Sequence, residues 1–369
     1  MRLALRELRR RPGRFAVATA VLSVLAVLLM FLGGLLDGLL ANSTGAYRAQ
    51  RADLFVFSSD SRESLVRSRI DAATRQQITA VPGVEAVGGL TSVQLGARRA
   101  ADPANRDLIG VNLFGYELAP RGLPEAAPAT GQVIADDSAQ DEGVREGDVL
   151  LLGPQRSPVT VVGFVSDTRY AGQVSLWGSE ATWRAVTAAN RPDRLLADGS
   201  AQILIVRAAD PGAVADAVDR ATGATTSLTS AAAIESIPGV TQQRSTFNQI
   251  IGVTAFIAMI VVALFFVLIT IERLGLYGTL KALGGSTRTL FAGVVSQAVV
   301  VAVVAWVIAT LIAGAMALAI PAGSVPYRLT VTRVVISLVL IVVSAVLGSV
   351  FSLRRVVRVD PASAIGASS

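Results

Sequence analysis

Groups able to do acid–base, nucleophilic or metal chemistry are scarce in this chain. It holds no cysteine and no histidine. That removes a disulfide framework, a Cys/His zinc site and a histidine-based catalytic triad. Of 33 basic residues Lys281 is the single lysine, and it stands in Thr279-Leu280-Lys281-Ala282. A Walker loop needs a glycine-rich turn ending in Gly-Lys-Ser/Thr. The chain carries none, so any ATP it uses is hydrolysed on another polypeptide. Adjacent Asp136 and Asp137, with Asp141 and Glu142 close by, could bind a cation or share a proton. With no nucleophile and no glycine-spaced loop beside them, they read as solvated acidic surface. Trp177 and Trp183, in a stretch that reads as loop, look like packing anchors. No constellation for catalysis emerges, and the chain is not expected to be an enzyme.

The elements that must position the remaining residues are set by hydropathy. The chain is 52% hydrophobic and 16% charged, with a mean hydropathy of +0.56. The apolar excess is local, in the runs Phe15–Leu36, Ile250–Ile271, Leu290–Ile320 and Val334–Phe351. Runs of about 18 or more apolar residues read as bilayer-spanning helices. The expected fold is therefore a four-helix membrane protein arranged one plus three, with a large extracytoplasmic α+β domain between the first and second helices. The expected segments are a basic N-terminus over 1–14, spans over 15–40, 246–271, 290–320 and 331–352, the external domain over 41–245, a cytoplasmic helix over 272–289, a short external loop over 321–330 and a tail over 353–369.

Charge gives the orientation. Residues 1–14 carry net +5, residues 272–290 net +2 and the tail net +2, whereas 41–245 holds 19 Arg against 23 acids, net −4. The positive-inside rule puts the three basic segments, and both termini, in the cytoplasm of a bacterial plasma membrane. The first apolar run is longer than a signal-peptide core and is followed by no clear cleavage site, so it reads as an uncleaved anchor.

Within the insert, Asp53–Phe57, Val84–Leu95, Leu108–Val111, Val149–Leu152, Val159–Val165 and Ile203–Val206 read as strands. Ile70–Val81 and the segment from Asp210-Pro211 to about Ala221 read as helices. A second unit starts near Gly131. One or two small α+β subdomains follow from this mixture.

The most specific stretch is Glu272-Arg273-Leu274-Gly275-Leu276-Tyr277-Gly278-Thr279-Leu280-Lys281-Ala282-Leu283-Gly284-Gly285-Ser286. Leu276, Leu280 and Leu283 recur at helical spacing, which makes a short amphipathic helix along the inner membrane face. Gly278, Ala282 and Gly284 leave room for another protein to approach. This stretch resembles the coupling segment of FtsX/MacB-type ABC transporter permeases, most like the DevC and HrtB branch. The likeness extends to Leu5-Arg6-Glu7-Leu8, Pro82-Gly83-Val84-Glu85-Ala86-Val87, Arg145-Glu146-Gly147-Asp148-Val149-Leu150 and the tail Arg358-Val359-Asp360-Pro361-Ala362-Ser363-Ala364-Ile365.

The resemblance implies a homodimer of four-span subunits with two copies of a cytoplasmic ABC ATPase beneath. ATP-Mg sits on that partner, and its closing motion is carried outward by mechanotransmission. Glu272, Arg273, Tyr277, Gly278, Lys281 and Gly284 would make the transmission contact. The HrtB branch exports haem, so haem is implied as a substrate, with no covalent cofactor, no metal site of the chain's own and no nucleic-acid partner. With His and Cys absent, haem iron would need Met, Tyr or a carboxylate. Met30 and Glu235 are the leading pair, with Tyr47 and Phe247 flanking.

Few polar groups lie inside the spans. That argues against a hydrophilic solute crossing directly and favours a lipophilic cargo taken from the membrane lipids, or force passed outward. Asp37 and Arg333 are the ionisable residues nearest to membrane depth, and either could sit at the interface. Gly34 and Gly38, with Gly33 beside them, give a Gly-x-x-x-Gly face suited to a dimer contact or to a slot for a flat ligand. The alternative functions are an FtsX-like regulator of an external cell-wall hydrolase, and extraction of lipid or lipoprotein.

Overall fold

A computed structural model describes residues 12–102, 107–272, 287–320 and 325–357. The chain divides into two compact units, Met1–Gly38 with Arg244–Ser369, and Leu39–Gln243.

The first unit is helical. Four helices are long and apolar enough to cross a membrane, with candidate spans at Ala16–Ala49, Val240–Phe265, Ala292–Ala319 and Val331–Phe351. They lie in helices α1 (Pro12–Ala49), α6 (Val240–Glu272), α7 (Thr287–Ala319) and α8 (Val331–Val357). The one-plus-three arrangement expected from hydropathy is present. The first two helices run past the expected limits at 40 and 246, because polar residues such as Asn42, Thr44, Gln242 and Gln243 continue the helix beyond the apolar window.

The unit's core is built from small residues. Ala298, Ala302, Ala305, Ala309 and Ala313 of α7 are buried at three- and four-residue spacing, against Ala18, Leu22 and Ala26 of α1, Ala258 of α6 and Ala345 of α8. Where apolar burial cannot distinguish helix from lipid, close approach of small residues supplies the packing. A Cβ on Gly348 of α8 would fall 2.6 Å from the Met259 carbonyl oxygen of α6. Two interhelical hydrogen bonds add direction: Ser344 Oγ donates to the Ala255 carbonyl at 3.1 Å, and Trp306 Nε1 to the Val334 carbonyl at 3.0 Å.

The second unit is a nine-stranded sheet in the order β3-β7-β4-β6-β5-β2-β8-β1-β9. The strands are β1 (Leu54–Ser58), β2 (Val84–Arg99), β3 (Ile109–Tyr116), β4 (Gln132–Asp136), β5 (Val149–Leu152), β6 (Ser157–Val165), β7 (Val174–Gly178), β8 (Ile203–Ala208) and β9 (Thr225–Thr229). Strand β2 is 16 residues long and serves two layers. Its first half pairs with β8, and its second half with β3 and β5. The β2–β3 pairing closes β2, β3, β7, β4, β6 and β5 into a ring. Val93, Leu95, Leu113, Val133, Leu150, Val161 and Leu176 belong to its core. The open edge, β8-β1-β9, carries helices α2 (Ala72–Thr79) and α4 (Pro211–Thr222), with Ile78, Val214 and Val218 in the core beneath.

Caps explain where these helices start. Asp71 accepts from the Thr74 amide at 2.7 Å and Asp210 from the Ala213 amide at 3.2 Å, each satisfying a donor that the first turn leaves free. Two expectations are corrected here. The stretch around the tryptophans is not a loop: Trp177 lies in β7 and Trp183 in helix α3 (Glu180–Asn190), whose cap Ser179 accepts from the Thr182 amide. Asp136 is not solvated surface either. It is 1% exposed, and accepts from the amide and hydroxyl of Thr168, both at 2.7 Å, and from Ser138. That network ties the end of β4 to the segment before β7. Its neighbour Asp137 is pushed up by partial burial and by the adjacent Asp136 charge.

Candidate functional site between the first and fourth spans

Glycines in the second half of α1 leave a groove. A Cβ on Gly33 would lie 2.9 Å from Arg333 Cδ, one on Gly34 2.5 Å from the Tyr327 ring, and one on Gly38 1.8 Å from the Pro326 carbonyl oxygen. No larger residue fits without moving backbone at Gly38. The segment entering α8 fills this groove. Tyr327 stacks on Phe31 with ring centroids 5.6 Å apart, and the Arg328 amide donates to the Gly34 carbonyl at 3.0 Å. Burial pushes the Tyr327 phenol up from its usual range. The Gly-x-x-x-Gly face was expected to meet a dimer partner or a flat ligand. In this chain, its own residues Pro326 and Tyr327 occupy it.

Asp37 and Arg333, which sequence could only mark as two separate charges, form one ion pair. Arg333 donates from Nε at 2.9 Å and from Nη2 at 2.7 Å to the two carboxylate oxygens. The Thr330 hydroxyl donates to Asp37 at 3.0 Å and accepts from the Arg333 amide at 3.2 Å, so the cap of α8 is part of the same network. The side chains are about one-fifth exposed, at 19% and 21%. A forked guanidinium–carboxylate contact fixes direction as well as proximity. Its physical effect is to neutralise both charges and to join the start of α8 to the second half of α1. Nothing in the arrangement activates a nucleophile or polarises a bond; it holds the two helices in register.

The candidate haem residues fall in both units. Met30 is fully buried in the helical core, its sulfur 3.9 Å from the Thr310 hydroxyl. Phe247 lies in the same unit and is half-buried. Tyr47 belongs to the second unit, where it stacks on Phe55 at 4.8 Å and on Tyr170 at 5.6 Å. Tyr170, nine-tenths buried, is pushed up to about 12 by that burial. Glu235 is an exposed residue of helix α5 (Ser230–Ser236), and its carbonyl accepts from the Thr241 hydroxyl. Of the coupling residues, Glu272 is the last residue of α6. Arg273, Tyr277, Gly278, Lys281 and Gly284 lie outside the described residues. Pro326, Tyr327 and Thr330 were missed from sequence. The signal was present as glycines on one helix face and a Pro-Tyr pair in a short loop, but nothing local links them.

The MacB-like periplasmic core domain model matches residues 15–224, more than half of the chain. The chain belongs to the MacB-like ABC transporter permeases. The model of the FtsX-like permease C-terminal region matches residues 248–361 of this permease, which takes in most of α6 and all of α7 and α8. Relatives match along its whole length. A protein of Staphylococcus haemolyticus named as a hemin transport system permease, HrtB, is 20% identical over 378 residues, covering 99% of each chain. An uncharacterized ABC transporter permease of Mycobacterium tuberculosis is 26% identical over 380 residues, covering 98% of each. The crystal structure of the periplasmic region of MacB from Actinobacillus actinomycetemcomitans matches with a TM-score of 0.33 at 14% identity, over 50% of this permease and 91% of that chain. The permease family implies a cytoplasmic ABC ATPase as partner.

Proposed function

We propose that this permease is the membrane subunit of an ABC exporter in the bacterial plasma membrane, acting by mechanotransmission on an amphipathic cargo, with haem as the leading candidate. Two copies form a homodimer over two ATPase subunits, with both termini in the cytoplasm. Glu272, Arg273, Tyr277, Gly278, Lys281 and Gly284 receive the ATPase motion.

The observation that carries this reading is the make-up of the helical core. Its hydrophobic cluster is Ala, Leu, Val, Ile and Met, and the buried polar side chains among the described residues of these helices are the uncharged Ser23, Thr254, Gln297, Ser337, Ser344 and Ser349, which offers a hydrated solute little to replace its water shell. Cargo is instead taken up at the membrane surface. Motion reaches the outer side through helices clamped together, and the Asp37–Arg333 pair is one such clamp. Haem is favoured because a full-length relative is named for hemin transport, and Met30 and Glu235 are each tested singly as candidate iron ligands.

The test is titration of the purified permease with haemin, following the Soret band, for wild type, Met30→Ala and Glu235→Ala. The proposal expects a shifted, saturable band that weakens in the variants. A spectrum equal to that of haemin in empty micelles removes haem as cargo. Cells that lack the permease yet survive haemin as well as the parent do the same.

A further inference from the structure

The second unit carries a cleft that the transport reading does not use. It has a volume of about 760 Å³ and lies where the end of β2, the β5–β6 hairpin and the end of α3 converge. Arg98, Arg99, Arg156 and Arg191 line it, with Asp102 and Asp193 as its acids. The domain around it is net negative, so the cleft is a cationic patch on an acidic body. Arg99 is engaged, donating to the Gly143 carbonyl at 3.0 Å and pairing with Asp102. Among the described residues, the guanidinium groups of Arg98, Arg156 and Arg191 have no partner.

The floor is apolar. Arg98 and Leu151 are register partners across β2 and β5, which brings their side chains side by side on one face. Leu108 also lines the cleft and is 62% exposed. Gly96 lies under it, with an added Cβ at 3.4 Å from both Leu108 methyls.

The hairpin at the rim is held in a costly shape. Arg156 has φ +53°, a left-handed conformation that glycine or asparagine adopts far more readily. Asn190 braces the same turn: its carbonyl oxygen accepts from the Gln155 amide at 2.9 Å, and its amide donates to Ser157 Oγ at 2.9 Å. A non-glycine residue kept in such a conformation, with its charge unpaired over a cavity, points from strain to function.

We infer that this cleft binds an amphipathic anion, a small apolar body with a carboxylate or phosphate head, gripped by Arg98, Arg156 and Arg191 over the Leu108–Leu151 floor. Planar guanidinium forks match both head groups, and the leucines cover the apolar part. The inference stands whether or not haem is the cargo.

The full-length permease in phosphatidylcholine nanodiscs is titrated calorimetrically with octanoate and with octyl phosphate, which separates the two head groups, and with octanol as the neutral match. Saturable binding of either anion, and none of octanol, is expected. Arg156→Gly relieves the backbone strain, so its Tm should hold or rise while affinity falls about tenfold, the scale of one lost charge-assisted contact. Arg98→Gln with Arg191→Gln should lower affinity further. Equal binding by wild type and variants, equal binding of octanol, or binding of an acidic hexapeptide with both octyl anions silent would overturn the assignment.

Discussion

Breaking the Asp37–Arg333 pair tests whether the first and fourth spans are mechanically joined. Asp37→Ala leaves a guanidinium facing a glycine groove that lacks any other acid among the contacts around it. Removing one partner of a fully buried pair costs about 3–5 kcal/mol, whereas an exposed pair is worth about 0–1 kcal/mol. The two side chains are about one-fifth exposed, and the contact is forked, with a third hydrogen bond from Thr330. The expected cost of either single substitution is therefore about 2–3 kcal/mol. The double variant Asp37→Ala with Arg333→Ala should cost less than the sum of the singles by about 1.5–2 kcal/mol, because the second deletion removes a charge already stranded. The reversed pair, Asp37→Arg with Arg333→Asp, should recover only part of the loss. The Arg333 stem lies along Gly33, 2.9 Å from where a Cβ would stand, and no matching groove receives an arginine from position 37. Thermal unfolding in detergent, read from tryptophan emission, measures this. Trp306 reports on the helical unit through its bond to Val334. Strict additivity of the two single substitutions would refute the clamp.

Other outcomes follow from the same geometry. Gly38→Ala should cost about 1–3 kcal/mol by driving a Cβ into the Pro326 carbonyl, while Gly314→Ala, which meets open space in mid-helix, should be neutral or stabilising; both are read as Tm shifts. Asp136→Ala should destabilise by about 2–4 kcal/mol, since Thr168 and Ser138 lose their buried acceptor; unchanged Tm would count against that network. Burial raises Glu117, but hydrogen bonds from Arg75 and the Gly89 amide outweigh it and hold the carboxyl below its usual range. A depressed folded-state value stabilises above the unfolded value, about 4.3, and the gain is lost as pH falls through the folded value. Stability should thus decline on acidification more steeply in wild type than in Glu117→Gln, as denaturation at stepped pH would show. From the proposed coupling role of residues 272–284, and not from that geometry, Gly278→Trp should uncouple the partner, so that ATP is hydrolysed without efflux.

The spans were legible in sequence because bilayer thickness imposes a long apolar window that few soluble helices contain. Strand β8 and helix α4 were legible for local reasons: Ile203-Leu204-Ile205-Val206 is a compact apolar run, and Asp210-Pro211 pairs a capping acid with a helix-starting proline. Strand β9 was not, since Thr-Thr-Ser-Leu-Thr has little apolar contrast and owes its place to pairing with β1. The Trp177–Trp183 stretch failed for another reason. Two short elements meet at Ser179, whose capping role shows only once the helix exists. The clamp lay beyond any local reading. Asp37 and Arg333 are 296 residues apart in sequence, and neither neighbourhood encodes the other. The Gly face was recognised as a place of close approach, but spacing alone does not say what approaches.

The most direct test of the whole account is sidedness, and the absence of native cysteine makes it clean. Glu142→Cys and Lys281→Cys are introduced separately and exposed to a membrane-impermeant maleimide on intact cells. A mechanotransmitting permease requires position 142 to react at once and position 281 only after permeabilisation. Labelling of position 281 on intact cells, or protection of position 142, would contradict it.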